Sequence, residues 1–502
     1  MATGEPLSVP QPVQPLALID ALARLLDEGG VRYCHWKSNA AIDRSATGDN
    51  DLDLLVHRGD VRKLTEILSR LGFVRADKPG SSIPGIESFY GFDADADRLV
   101  HVHAHYQLVL GDDRTKNYRL PIEDAYLDST TRTGFLALPS AEFEYVVFVV
   151  RMILKYCTWD EIAWCAARGR RAGPSRTESG ELAYLEARVD DTRATSIVEE
   201  HLPFVGAELF AECVAALRTG ASIRRRIGTG RRLEQSLQPH ARYSRRKDRA
   251  LRIGRRVAIA ARRRTRGSPK NRLAGGGALV GITGGDGSGK STVLAALDNW
   301  LRPEFDVRLV HLGKPRWSAT TVVVRGGLKV AVLGVAGLAR LVRVTPVQRL
   351  ADAAETYRPL LWLLCTARDR HNAYGHARRF SAEGGLVLCD RYPHSRLRSM
   401  EAPLIASRTA DGPDNRLVRA MSDLEERYHR AIAPPELLVV LRVDPEIAVG
   451  RKTEERPELV RARGTEVWNI DWHDSRAHVI DASQPADAVA RELKALVWST
   501  LA

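Results

Sequence analysis

The sequence predicts an α/β protein made of two α/β domains that are joined by a basic linker, and three observations support this. The chain has 502 residues, more than one hydrophobic core normally organises. Apolar runs typical of strands alternate with helical patterns in both halves of the chain. An arginine-rich stretch separates these halves. The predicted domains are therefore residues 1–222 and residues 276–502, with the linker at residues 223–275.

The first domain carries a pair of carboxylates in a strand-like run. Asp51 and Asp53 stand at positions i and i+2, so a strand places them on one face, where they are suited to share Mg²⁺ ions. Three histidines, His101, His103 and His105, alternate in a later run and also share a face. A histidine-assisted metal site is therefore an alternative to a purely carboxylate site.

These residues resemble the nucleotidyltransferases of the polymerase-β type, whose pattern is a Gly-Ser turn followed by Asp-x-Asp. The turn here reads Lys37-Ser38, so the glycine is missing, and His103 stands where a third carboxylate is expected. The resemblance implies either nucleotidyl transfer through Asp51 and Asp53 with bound metal, or a domain that binds a nucleotide or the acceptor without catalysis. The two missing parts favour binding without catalysis.

The basic segment accounts for the positive charge of the whole chain. The formal net charge is +13, yet residues 224–272 alone hold 19 lysines and arginines against two acidic residues, Glu234 and Asp248. We expect a solvated linker, part of it helical. A basic helix that binds an anionic membrane surface or nucleic acid is the alternative. Few aromatic residues are present to stack on bases, which favours the linker.

The second domain opens with a complete phosphate-binding loop. It lies between a predicted strand at residues 278–282 and a helical pattern, and it contains Gly284, Gly285, Asp286, Gly287, Ser288, Gly289, Lys290, Ser291 and Thr292. Backbone N–H groups of such a loop, together with the N-terminus of the helix, surround phosphates. Lys290 is expected to reach the β- and γ-phosphates, and the Ser291 hydroxyl to ligate Mg²⁺. The sequence therefore predicts ATP binding by this loop, with Gly284 and residues 286–292 as contacts.

A second landmark is an apolar run that ends in a carboxylate. Residues 385–389 read as a strand, and Asp390-Arg391 follows directly. A carboxylate at the end of a strand beside the phosphate loop is well placed to hold Mg²⁺. We expect Arg391 to hold a second phosphate. A helix predicted over residues 360–382 carries Arg370, a cation expected to hold an anionic acceptor.

The loop and the Asp390-Arg391-Tyr392 segment together resemble thymidylate kinase and its relatives. Residues 367–372 are similar to the family's acceptor helix, and residues 437–452 to the strand that leads into its arginine-bearing lid. The resemblance implies a P-loop kinase domain with a three-layer parallel sheet. It also implies an ATP- and Mg²⁺-dependent phosphotransferase whose acceptor is a nucleotide or another phosphorylated small molecule.

The same resemblance gives roles to individual residues. Those expected to act in catalysis are Lys290, Asp390, Arg391 and a lid arginine, Arg451, with Arg456, Arg461 and Arg463 as alternatives. Those expected to hold the acceptor are Asp286, Arg370 and Arg391, and those expected to hold the metal are Ser291 and Asp390. A lid arginine is expected because the negative charge of the phosphoryl group must be neutralised while it is transferred.

Departures from the family's pattern leave the acceptor open. Thr283 stands where an acidic residue usually precedes the loop, and residues 393–399 lack the Ser-x-x-Ala-Tyr-Gln stretch that helps to recognise the thymidine nucleotide. We therefore expect dTMP to be a poor acceptor. Two other functions fit parts of the sequence: an ATP-binding regulatory switch, and a nucleotidyltransferase acting through Asp51 and Asp53.

Composition favours a cytoplasmic protein. No charged segment precedes an apolar stretch near the N-terminus, as a secretory signal requires. The longest apolar run, residues 330–339, is well short of the roughly 20 residues that span a bilayer. The 6 cysteines are scattered without a Cys-x-x-Cys pair, which is typical of a reducing compartment.

Overall fold

The computed structural model describes residues 13–80, 82–218, 221–265, 269–341, 345–397, 402–409, 415–473 and 475–502. Residues 1–12 of the first expected domain, residues 266–268 of the expected linker and residues 398–399 of the acceptor segment lie outside them. The chain divides into two compact units, Met1–Pro269 and Lys270–Leu501. In the described part of the chain, no helix is both long enough and apolar enough to span a membrane.

The first unit combines a mixed sheet with a helical region. Its strands are β1 Tyr33–His35, β2 Leu52–Val56, β3 Val74–Asp77, β4 Ile86–Asp93, β5 Arg98–His105, β6 Leu108–Leu110, β7 Tyr118–Leu120, β8 Thr131–Thr133 and β9 Leu136–Leu138. Its helices are α1 Ala17–Glu28, α2 Ile42–Ala46, α3 Val61–Arg70, α4 Glu123–Asp128, α5 Ala141–Tyr156, α6 Trp159–Ala166, α7 Arg176–Glu186, α8 Asp191–His201, α9 Gly206–Leu217, α10 Ile223–Ser236 and α11 Arg245–Thr265.

The main sheet of this unit brings two chemically important strands side by side. Its strands run in the order β1-β2-β5-β4-β3. β2 is buried along its whole length and pairs parallel to β5, while its other neighbour, β1, runs antiparallel. In the parallel register Asp53 lies opposite His103. The strand that carries Asp53 and the strand that carries the three histidines are therefore direct neighbours.

The structure corrects the expected linker at residues 223–275. Helices α10 and α11 belong to the first unit, and the boundary falls after Pro269. Gly230 of α10 lies so close to the carbonyl of Cys157 that no side chain would fit. In α11, Arg252 and Arg256 are almost completely buried. Arg256 Nη2 lies 2.7 Å from Asp112 Oδ2, and Arg252 Nη2 lies 3.1 Å from Asp160 Oδ1. The amino-acid composition shows how many arginines this segment has, but it does not show that acidic residues of distant segments pair with them.

The second unit is built on a parallel sheet. The strands of this sheet are β11 Leu279–Gly284, β12 Val307–His311, β13 Leu386–Asp390, β14 Leu437–Arg442 and β15 Ala477–Asp481. The short strand β10, Arg272–Leu273, precedes them in the chain and is not part of this sheet. Its helices are α12 Lys290–Leu301, α13 Ala319–Leu341, α14 Thr345–Ala382, α15 Ile405–Arg408, α16 Arg416–Arg430, α17 Pro445–Arg451, α18 Pro457–Asn469 and α19 Ala486–Leu501.

This sheet has five parallel strands in the order β12-β13-β11-β14-β15. Its central strands are continuous apolar runs because both faces of a parallel sheet are covered. Tyr374, Ala377 and Phe380 of α14 pack into a core with residues of β11 and β13. α12 also contacts β11 and β13, and it packs against α19. The result is a three-layer α/β unit, as predicted, with β11 at the centre and the phosphate loop at its end.

Helix α14 begins earlier than the sequence indicates. The sequence pattern places its start near residue 360. The structure instead continues the helix through Pro359 from Thr345. A proline inside a helix removes one backbone hydrogen bond. Here the preceding turns are supported by α13, which packs along α14.

Candidate active site

The phosphate loop joins the central strand to a helix, as its chemistry requires. β11 ends at Gly284, and α12 begins at Lys290. Gly287 and Gly289 have φ angles of 78° and 85°, in the left-handed region that favours glycine. A Cβ atom on Gly287 would also lie only 2.6 Å from the carbonyl oxygen of Ala448 in α17. Both glycines are therefore needed for the loop to close around a phosphate.

Lys290 is buried within the curve of the loop. Its Nζ donates hydrogen bonds to the carbonyl oxygens of Gly284, at 2.9 Å, and of Gly285, at 2.6 Å. The next two residues, Ser291 and Thr292, are exposed on the first turn of α12. The ammonium group thus lies inside the loop, while the Ser291 hydroxyl remains accessible.

Asp286 is the most strongly paired residue of the loop. Its carboxylate is 4% exposed, and it lies 2.5 Å from Arg391 Nη2 and 2.5 Å from Arg463 Nη1. Burial raises the pKa of this carboxyl group, but the hydrogen bond from Arg463 and the charge of Arg391 outweigh burial and lower the pKa to about 2. Asp286 is therefore ionised at physiological pH and positions two guanidinium groups at the loop.

The backbone directs Arg391 towards that carboxylate. Arg391 has a φ angle of 54°, an uncommon conformation for a residue with a long side chain. Neighbouring hydrogen bonds hold it, because Tyr392 N donates to Ile282 O of β11 and Leu312 N donates to Asp390 O. Such backbone strain persists where the surroundings enforce it, and it often marks a functional site.

Asp390 ends β13 with one oxygen unsatisfied. Its Oδ2 lies 3.5 Å from His311 Nε2, while its buried Oδ1 has no hydrogen-bond partner among the described residues. Burial lowers the pKa of His311 despite the opposing charge of Asp390. The buried Ser288 Oγ of the loop is likewise unpaired in the described part of the chain. The Ser288 hydroxyl can donate to a phosphate oxygen and Asp390 Oδ1 can ligate Mg²⁺, so these groups and the glycine loop fit a bound triphosphate with Mg²⁺.

Arg370 lies beside the end of β12. Its Nε donates to Leu312 O at 2.7 Å, and its Nη1 lies 3.3 Å from His429 Nε2. Burial and the charge of Arg370 lower the pKa of His429 to about 4, so this histidine is neutral at physiological pH. The sequence did not indicate His429, which lies 59 residues further along the chain. Arg368 donates to the hydroxyl groups of Ser318 and Thr321.

The structure does not bring Arg451, the lid arginine chosen from the sequence, to the loop. Its Nη1 donates to Ala482 O at 2.8 Å, so its guanidinium supports the turn before α19. The arginine that contacts the loop is Arg463, and the following Gly464 lies against Gly285. A glycine that permits close approach of two backbones is a signal that could have favoured Arg463 over Arg451.

In the first unit, Asp53 is surrounded by cationic and imidazole groups. Its Oδ1 lies 2.8 Å from Lys37 Nζ, 3.2 Å from His103 Nδ1 and 3.9 Å from His105 Nε2. Burial opposes ionisation, but Lys37 and His103 hold the pKa of Asp53 well below its ordinary value. Burial lowers the pKa of both histidines as well.

Asp51 does not join this group. It precedes β2, its side chain is 54% exposed, and its Oδ1 lies 2.8 Å from His101 Nδ1. Among the described residues, the group able to hold a metal ion together consists of Asp53, His103 and His105. The expected sharing of metal between Asp51 and Asp53 therefore lacks support from this geometry. Ser38, next to the missing glycine, has a φ angle of 60°, the conformation that glycine favours.

The fold and loop of the second unit define an α/β protein with a phosphate-binding loop at the end of a central parallel strand. No protein-family model matches the chain, and no curated protein matches it either. Among solved structures, the chain is similar to the thymidylate kinase of Candida albicans. The sequence identity is 16%, the match covers 45% of this chain and 92% of that one, and the TM-score is 0.29. A likeness of this size supports no inference about function.

Proposed function

We propose that this protein is an ATP-dependent phosphotransferase whose acceptor is a phosphorylated small molecule. The observation that carries this proposal is the pairing of Asp286 in the phosphate loop with Arg391, which follows the carboxylate at the end of β13. A loop that only binds and releases a nucleotide has no need for this second cation. A transferase needs it, because the phosphate of the acceptor must be held beside that of the donor.

The donor side consists of residues whose positions fit a triphosphate. The backbone of the loop and Lys290 would bind the phosphates, since Lys290 Nζ lies within the loop. Ser291 and Asp390 would hold Mg²⁺, which when bound supplies positive charge against the phosphate oxygens. Asp390 contributes a buried oxygen that has no partner among the residues described, as such a role requires.

Several cations of this chain support transfer of the phosphoryl group. Lys290, Arg391 and Arg463 all lie at the loop, and the two arginines are fixed by one carboxylate. Preorganised cations stabilise the charge that develops during transfer without rearranging at the moment of reaction. We assign to Arg463 the charge-neutralising role that the resemblance to thymidylate kinase implies for Arg451.

A cavity between α13 and α14 suits the acceptor. Its volume is about 920 Å³. Trp317 and Trp362 line it, with the Arg325 guanidinium between their rings. Arg358 and Arg408 also contribute to its walls. This lining fits a ligand with an anionic group and a flat or apolar portion.

A series of direct contacts leads from this cavity to the end of β13. Ser318, next to Trp317, donates its N–H to Asp369 Oδ2. The adjacent Arg370 donates to Leu312 O, and Leu312 N donates to Asp390 O. The second large cavity, of 840 Å³, resembles the first in having none of residues 284–292 among its described lining residues. Its walls include Glu426 and Glu436, which repel an anionic ligand, whereas the described lining of the cavity beside Trp317 has four cationic residues and no acidic one. The cavity beside Trp317 is therefore the better candidate for the acceptor.

The test is a screen for ATP consumption by the full-length protein with nucleoside monophosphates and sugar phosphates, followed by mass spectrometry of the products. We expect one acceptor class to gain a single phosphoryl group while ATP becomes ADP. ATP hydrolysis that no acceptor accelerates, with no phosphorylated product, would instead favour the regulatory switch. Trp317→Ala is expected to raise the KM for the acceptor while leaving ATP affinity unchanged.

A further inference from the structure

A compact group of metal-binding side chains lies in the first unit, separate from the phosphate loop. Asp53 of β2 and His103 and His105 of β5 present ligand atoms that all lie within 4.8 Å of one another. His103 and His105 share a face of β5 because they are two residues apart, and the parallel pairing sets Asp53 opposite His103. The sheet itself therefore fixes the relative positions of all three.

The distances between these atoms approach those of a coordination shell. In a tetrahedral zinc site with bonds of about 2.0–2.1 Å, neighbouring ligand atoms are about 3.3 Å apart. Asp53 Oδ1 lies 3.2 Å from His103 Nδ1 and 3.9 Å from His105 Nε2. A small adjustment of the side chains would bring all three atoms to one ion.

His105 provides an independent observation. It is completely buried, and neither ring nitrogen has a hydrogen-bond partner among the described residues. A buried polar atom without a partner is costly, so native structures rarely keep one without a function or an unseen ligand. Its Nε2 is the nitrogen that faces Asp53. A metal ion bound there would satisfy it.

We propose that Asp53, His103 and His105 form a binding site for a divalent metal ion of the zinc class, with Lys37 as the competing resident cation. Two imidazoles and one carboxylate suit Zn²⁺ and similar transition metals, whereas Mg²⁺ prefers oxygen ligands. Partial exposure of His103 leaves a path for the ion and room for a further ligand.

Lys37 gives the proposed metal site a consequence that can be measured. Its Nζ lies 2.8 Å from Asp53 Oδ1, so it neutralises the same carboxylate that would bind the metal. Metal binding must break this ion pair and place a dication near an ammonium group. Removal of the lysine charge should therefore strengthen metal binding, whereas removal of an ordinary structural residue should not.

The experiment measures Zn²⁺ binding by full-length, nucleotide-free protein that carries no polyhistidine tag and has been stripped of metal by a chelator. Isothermal titration gives the affinity, and elemental analysis after desalting gives the stoichiometry. We expect one equivalent of Zn²⁺, which excess Mg²⁺ does not displace. His103→Ala and Asp53→Asn should weaken binding by about 100-fold or more, because even outer partners of a metal site contribute 10- to 100-fold.

Two matched variants separate a metal site from general damage. His101→Ala changes the neighbouring histidine that pairs with Asp51, so it should bind Zn²⁺ like the wild type. Lys37→Met should bind about tenfold more tightly, by removing a repulsive charge. Absence of Zn²⁺ uptake by both the wild type and Lys37→Met would overturn the proposal. Equal losses in His101→Ala and His103→Ala would overturn it as well.

Discussion

Arg391 Nη2 lies 2.5 Å from Asp286 Oδ1, which ties the segment after β13 directly to the phosphate loop. Asp286 binds Arg463 through its other oxygen, so one buried carboxylate orients an arginine from each of two distant segments. Both guanidinium groups are therefore already in position before substrates bind. This arrangement is the structural basis for the proposed phosphotransfer.

Arg391→Ala should reduce acceptor-dependent turnover more than ATP affinity. If Arg391 holds the phosphate of the acceptor, kcat/KM for the acceptor should fall by about 100-fold or more, as for loss of a preorganised charge. The Kd for ATP, measured by calorimetry, should change little. Arg396→Ala is the control, since Arg396 in the same segment donates instead to Asp471 O. An equal loss of ATP binding in Arg391→Ala would place this arginine on the donor side.

Arg463→Ala and Arg451→Ala should differ mainly in their effect on turnover. Arg463 contacts Asp286, so its loss should lower kcat by about 100-fold and should also remove part of the stability that the paired carboxylate contributes. Arg451 donates to Ala482 O, and its loss should reduce stability by about 1 kcal/mol while turnover persists. Steady-state kinetics and urea unfolding of both variants measure these effects. A larger kcat loss in Arg451→Ala would restore the assignment made from the sequence.

The pH dependence of stability should report the paired Asp286. Its folded pKa of about 2 lies below the ordinary value of 3.8, so the stabilisation is complete above pH 3.8 and is lost as pH falls towards 2. The shift corresponds to about 2 kcal/mol. Asp286→Asn should therefore be less stable than the wild type at pH 7 by about this amount. The free energies of unfolding of the two proteins should become nearly equal close to pH 2. Urea titrations, read by pulsed hydrogen exchange of peptides from residues 279–301, measure the difference, and a constant gap at all pH values would refute this interpretation.

Replacement of Asp51 and Asp53 by Asn should leave phosphotransfer within about tenfold of the wild type, or ~1.4 kcal/mol of barrier. The reason is that both carboxylates lie in the first unit, whereas the phosphate loop lies in the second. Incubation with labelled nucleoside triphosphate and Mg²⁺ or Mn²⁺ tests for nucleotidyl transfer. Transfer by the wild type that the double variant lacks would show a second activity and contradict the prediction of binding without catalysis.

The fold of the second unit was predictable because its signals are local. The phosphate loop is a run of consecutive residues, and β11, β13 and β14 are continuous apolar segments. Contacts between distant segments were not predictable. Asp286 and Arg463 are 177 residues apart, so the sequence does not show which of the four candidate lid arginines reaches the loop. Arg256 and Asp112 are 144 residues apart, so the basic segment read as a linker.

The site of the first unit was predictable in part for a similar reason. The alternation of His101, His103 and His105 correctly indicates a shared strand face. However, the pattern does not reveal that Asp51 precedes β2 and pairs with His101, or that Asp53 pairs with Lys37. Strand boundaries and register decide these partners, and both depend on the assembled sheet.

The most direct test of the phosphotransferase account is ATP turnover by Lys290→Ala in the presence of an acceptor identified by the screen. Lys290 Nζ lies within the loop, where it would contact the phosphates. Its loss should lower turnover by orders of magnitude in a protein whose circular dichroism is unchanged. Lys494→Ala, on α19, is the control and should retain wild-type turnover. Unchanged phosphoryl transfer by folded Lys290→Ala protein would contradict the account.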